Sequence, residues 1–125
     1  MPSNTVRATV KYTTTDVNQT YYLTVIIGNG QVGSSAFINA DMTVFNPDVE
    51  NALIGTGAAI INKTFLVSTT DIHANPASLT QIVSYYISTA PLDLSNLGNI
   101  TPAGTSQVET SPAQTYTFIT KLQFS

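Results

Sequence analysis

Alternation of apolar and polar side chains is the dominant pattern along this chain, and it predicts strands. In Thr5–Thr13, Val6, Ala8, Val10 and Tyr12 fall on one face, with Thr5, Arg7, Thr9 and Lys11 on the other. The densest strand-forming run is Thr20–Ile27, which holds Tyr21, Tyr22, Leu23, Val25, Ile26 and Ile27 and stops at Gly28-Asn29-Gly30. Tyrosine and β-branched side chains suit a pleated, half-buried surface and lose rotamer freedom in a helix. Asn-Gly accepts the positive φ of a tight turn. These residues predict a central strand closed by a sharp turn. At the other end, Gln114–Phe124 places Tyr116, Phe118, Leu122 and Phe124 on one side and Thr117, Lys121 and Gln123 on the other.

Between these strands the periodicity is less even. Ser34–Phe45 fits neither period throughout, and is read as two short strands or one bulged strand. Asn46-Pro47-Asp48-Val49-Glu50 has the form of a helix start: a capping side chain, proline at the first helical position, and acids near the positive end of the dipole. Gly55 and Gly57 would end that helix after one or two turns. Ala58–Thr70 reads as a strand with apolar residues on both faces, Ile61, Phe65 and Val67 against Ile60 and Leu66, which predicts both sides covered in part. Asp71–Ser78 reads as a loop, with a second helix-start signal at Asn75-Pro76. In Leu79–Thr89, Leu79, Ile82, Val83 and Tyr86 sit at helical spacing, but Val83, Tyr85 and Ile87 alternate, and the composition favours a strand from Gln81. Ala90–Gln107, with its prolines, glycines and asparagines, reads as a loop. The whole predicts an all-β fold: one domain over residues 1–125, an antiparallel β-sandwich or jelly roll of about seven or eight strands with at most one or two short helical turns.

Composition narrows the function classes. Charged residues make up 9% of the 125 residues, against roughly a quarter in an average globular protein. The polar surface therefore rests on uncharged side chains: 20 Thr, 11 Ser, 10 Asn and 6 Gln. The net charge is −3, and the only cations are Arg7, Lys11, Lys63 and Lys121. Four cations scattered along the sequence are too few to neutralise a phosphate backbone, so no nucleic acid is expected as a partner. An anionic membrane surface is disfavoured for the same reason. No apolar run approaches the roughly 18 residues of a membrane helix, so no membrane insertion is expected. The absence of cysteine removes disulfide and thiolate chemistry. The N-terminal MPSNTVRATV has no apolar stretch of signal-peptide length. An extracellular or surface-associated protein is the expectation from composition, with a cytoplasmic one left open.

Four constellations carry candidate chemistry. Gly28-Asn29-Gly30-Gln31-Val32-Gly33 has the spacing of a dinucleotide-binding loop, with Asp48 and Glu50 downstream. The residues after Gly33 make a poor helix, however, so a glycine-rich hairpin turn is the expected role. Asp71 and His73 share one side of an extended segment, as two members of a hydrolase triad would. No nucleophile elbow accompanies them, and no catalytic residue is assigned. One His and no Cys remove the common zinc sites; Asp41, Asn46, Asp48 and Glu50 offer oxygens for calcium but lack the spacing of a calcium loop. No metal and no cofactor are expected. The pairs Tyr21-Tyr22 and Tyr85-Tyr86 remain. In a strand each pair puts one ring inward and one outward, and an outward tyrosine among amides and hydroxyls makes a sugar-stacking platform. Tyr21, Tyr22, Tyr85 and Tyr86 are therefore the candidate ligand-binding residues.

The expected function is non-enzymatic: a structural or interaction protein that self-associates as a shell, fibre or surface-assembly subunit. A nearly uncharged surface offers little repulsion between copies, and few charged edge residues block strand-to-strand pairing. A homo-oligomer is the expected partner state. The alternative is a lectin-like module that binds a glycan through the tyrosines.

Overall fold

The structure, a computed structural model, describes residues 5–28, 31–72, 77, 80–109 and 115–125. Its strands are β1 (Thr5–Tyr12), β2 (Thr20–Ile27), β3 (Val32–Ile38), β4 (Val44–Phe45), β5 (Ala52–Thr56), β6 (Thr64–Ile72), β7 (Thr80–Ser88), β8 (Gly104–Glu109) and β9 (Thr115–Phe124). One helical turn, α1 (Gly57–Ile60), and a 3-10 segment, Leu94–Asn99, complete the described elements. Two sheets pack face to face. The first has the order β1-β9-β6-β3-β4 and the second β5-β2-β7-β8. The all-β sandwich expected from alternation is the fold. Its strand pairs are antiparallel except at one edge, where β1 runs parallel to β9 with Val10 opposite Leu122.

The alternating pattern sets the inner faces. Val10, Tyr21, Leu23, Val25, Phe37, Val67, Val83, Phe118 and Leu122 are all buried between the sheets. At one end of the interior the rings pack edge to face: Tyr12 lies 5.9 Å from Tyr21 and 5.9 Å from Phe124, and Phe65 lies 5.8 Å from Phe124. Such pairs contribute about 0.5–1.5 kcal/mol beyond their area. Further along, polar groups inside the sandwich meet one another. The Tyr85 hydroxyl bonds Thr120 Oγ1 across the sheets at 2.6 Å, and Ser35 Oγ bonds Thr69 Oγ1 at 2.8 Å. Buried hydroxyls paired in this way avoid the cost of an unmet hydrogen bond.

Several local expectations are corrected. Residues 46–50 form no helix. Val25 N–H donates to Val49 O and Ser35 N–H donates to Pro47 O, both at 2.8 Å. The segment thus bridges the two sheets as an irregular, bent connection, and the donors of β2 and β3 outweigh the local helix-start signal. The helical turn comes later, at Gly57–Ile60, capped by Thr56 Oγ1, which accepts from Ala59 N–H. The strand read at Ala58–Thr70 is consequently β6, shifted to Thr64–Ile72. Its outer face is open, with Leu66 57% exposed. Asn29 and Gly30 of the expected turn lie outside the described residues, and β2 and β3 on either side of them belong to different sheets, so the two strands do not pair as a hairpin. Gly33 lies within β3, where an added Cβ would collide with the Thr70 backbone. The loop read at Ala90–Gln107 contains the 3-10 segment and the start of β8, a strand the sequence reading missed.

Candidate interaction surface

The outer face of the first sheet carries an uncovered row of apolar side chains. Ile38 pairs across strands with Val44. Leu66 precedes Val67, which pairs with Phe37, so Leu66 and Ile38 occupy neighbouring positions on the same face. Ile38 is 46% exposed and Val44 62%, and Met42 in the turn beside them reaches 76%. Together with Ala36 these side chains line a shallow groove of about 640 Å³, with Lys63 at its lip. Apolar patches that stay in water in this way mark interaction sites more often than single exposed residues do.

Asn39 shapes this patch. It is buried, and its Oδ1 accepts from Asp41 N–H at 2.9 Å and from Thr43 N–H at 2.8 Å. Its Nδ2 donates to Leu53 O at 2.9 Å, and Ala40 N–H donates to Ile54 O. The β3–β4 turn is thus tied to β5 of the other sheet. Met42, with φ of 64°, stands at the outermost point of the turn. Sequence reading passed over Asn39. Its signal was an Asx-type turn residue directly after a strand.

The same face is electrically one-sided. Arg7 and Lys11 stand on outward positions of β1, and Lys121 on β9 lies opposite Thr9 between them. The three cations far apart in sequence form one exposed cluster, with Arg7, Thr9 and Lys121 lining a depression of about 230 Å³. The strands of this sheet contain a single acid, Asp71, and it is buried. Of the exposed acids, Asp41 stands beside Met42 in the β3–β4 turn, while Asp16, Asp48, Glu50, Asp93 and Glu109 lie in other connections or at the end of β8.

The tyrosine pairs divide as period two requires, and the structure decides which ring goes where. Tyr21 and Tyr85 are buried and belong to the core, so neither presents its ring to a ligand. The Tyr21 hydroxyl donates to Asp16 O at 3.2 Å. Burial raises the Tyr85 phenol above its ordinary value, and its bond to Thr120 pulls the other way. Tyr22 and Tyr86 are half-buried on the outer face of the second sheet, where Tyr22 pairs with Ser88 and Tyr86 with Thr24. These two rings are diagonal neighbours on one surface.

The remaining candidates separate. Asp71 points inward from β6, and Gln81 Nε2 donates to its backbone oxygen. His73 lies outside the described residues, as do Asn75 and Pro76. Asp48 and Glu50 rim a groove of about 300 Å³ beside Val25, Val32 and Ser35. Among the described residues no three His, Cys, Asp or Glu side chains converge as metal ligands, and no helix is long and apolar enough to cross a membrane. Compared with known proteins, the chain matches no family model, no characterised protein and no solved structure.

Proposed function

We propose that this protein is a non-enzymatic structural subunit that associates with copies of itself through the outer face of its first sheet. The exposed row Met42, Val44, Ile38 and Leu66 carries the reading. Apolar side chains left in water gain free energy on contact, roughly 25 cal/mol for each Å² covered. The low charge of the chain leaves little repulsion to oppose that contact. Sedimentation velocity over a wide concentration range tests it. Mass growing beyond that of one chain is expected, and Leu66→Lys should stay monomeric at the same concentrations. A wild-type protein that is monomeric throughout overturns the reading.

A second reading, glycan binding, draws on the placement of Tyr22 and Tyr86 together on one outer face. A glycan array on which binding is lost in both Tyr22→Ala and Tyr86→Ala would favour it over self-association.

A further inference from the structure

The apolar row does not stand alone on its face. The neighbouring strands β9 and β1 add Arg7, Lys11 and Lys121, all exposed, and no strand of this sheet presents an exposed acid to balance them. A two-fold contact, in which this face meets its own copy, would therefore offer the cationic cluster no carboxylate from the strands and only Asp41 from the β3–β4 turn. Charges left unpaired in a contact oppose it, and like charges brought together oppose it further. The complement lies elsewhere on the same molecule. The segment joining β4 to β5 carries Asp48 and Glu50, both exposed, in the lining of a groove. Its lining includes Pro47, which is exposed, and Val32, which is 52% exposed on the same outward side of β3 as Ile38. The sheet order β1-β9-β6-β3-β4 sets these two features apart. The cations occupy the β1/β9 edge, whereas the acids follow β4 at the opposite edge.

We infer that self-association is head-to-tail: the apolar and cationic outer face of one copy docks on the acid-rimmed groove at Asp48 and Glu50 of the next. The inference rests on the self-association reading and adds its direction. Leu66 and Ile38 meet Val32 and Pro47 of the groove lining, while Arg7, Lys11 and Lys121 meet the two carboxylates. Each copy then offers one face and one groove. A contact between two different surfaces leaves both a free face and a free groove at the ends, so it propagates unless its rotation closes a ring. A fibre or a ring follows, and an isolated dimer does not.

Two variants, each broken on one side only, test this. Arg7→Gln/Lys11→Gln/Lys121→Gln neutralises the face, and Asp48→Asn/Glu50→Gln neutralises the groove. All five positions are exposed. Each variant alone should associate at least tenfold more weakly than wild type. Mixed in equal amounts, they should form a one-to-one complex that stops at two chains, because one intact face meets one intact groove. Wild-type association should also weaken at least tenfold on going to 1 M NaCl, where the screening length falls to about 3 Å. That measurement holds even where a variant fails to fold. If wild type associates but the groove variant does so equally well, or association is unchanged in salt, the head-to-tail contact is overturned and self-association stands. If wild type stays monomeric at every concentration, the underlying reading falls as well. Monomeric wild type retained on a sulfated polysaccharide column would assign the cationic cluster to an anionic polymer and overturn the proposal.

Discussion

The two outer faces of the sandwich are treated oppositely. On the second sheet, Thr24 points outward from β2 yet is only 1% exposed. The chain covers it with its own connections. Asn51 N–H donates to Thr24 Oγ1 at 3.0 Å, while the Asn51 side chain accepts from Leu92 N–H at 2.8 Å and donates to Leu92 O at 3.0 Å. The connection from β7 to β8 is pinned there, and Asp93 caps the 3-10 segment beyond it through two bonds from Ser95. On the first sheet, isoleucine, valine and leucine stand in water with no connection of the described chain across them. A fold governed only by its own burial would cover the apolar side chains before the threonine. The difference teaches that cover follows the path of the connections rather than the polarity of the side chains beneath them: bonds within the chain tie down one face, and the other keeps its apolar row in water.

The largest effect should come from breaking the covered side. Asn51→Ala removes both side-chain bonds to Leu92 and puts alanine at a φ of 47°. A loss of about 2 kcal/mol is expected, as half-buried partners are left unpaired and the backbone loses the residue type that tolerates a positive φ. Urea unfolding measures it, and cleavage by protease within residues 90–100 should accelerate. On the open side the pattern reverses. Ile38→Ser should leave urea stability within about 0.5 kcal/mol. Its self-association should fall about tenfold, which corresponds to about 1.4 kcal/mol. Equal losses in stability from both substitutions would erase the comparison.

Between the faces stands Tyr85, whose hydroxyl joins the sheets through Thr120. Tyr85→Phe should cost about 1 kcal/mol near neutral pH, since Thr120 loses its partner. It should also change the alkaline limb. Burial raises the folded phenol, so the unfolded chain ionises first, from about pH 10. The contribution is whole below that pH and is lost as pH rises through the folded value. Stability measured from pH 9 upward should fall less steeply in Tyr85→Phe. Some slope should remain, because burial and the nearby Tyr21 also raise Tyr12. The smallest effect is expected at Tyr22→Ser, on the covered side but half-buried: a change under about 1 kcal/mol, with self-association untouched.

Much of the architecture was legible in the sequence. Thr20–Ile27 is β2 to the residue, and Thr5–Tyr12 and Thr115–Phe124 alternate as read. A side-chain period of two is a property of the strand itself, so it survives in the sequence whatever the neighbours are. The candidate interaction surface was much less legible. Leu66 looked like half of a strand covered in part on both sides, and Arg7, Lys11 and Lys121 looked scattered. Whether an outward leucine meets another layer depends on the path of distant connections, and proximity of residues 7 and 121 depends on β1 pairing with β9.

The sequence by itself determined the strand periods, and hence the all-β class and the residues of the inner faces, because alternation forces one side of each strand into a common core. It determined the low charge as well. The tertiary structure alone decided which sheet each strand joined, which tyrosine of each pair had a place on the surface, and that residues 46–50 form a bent connection and no helix. It also decided that one outer face is covered and the other bare. Those outcomes are set by hydrogen-bond donors and packing partners that lie tens of residues away, such as Val25 for Val49, Asn51 for Leu92, and Leu122 for Val10. Local preference cannot encode them, because the same residues in another register would meet other partners.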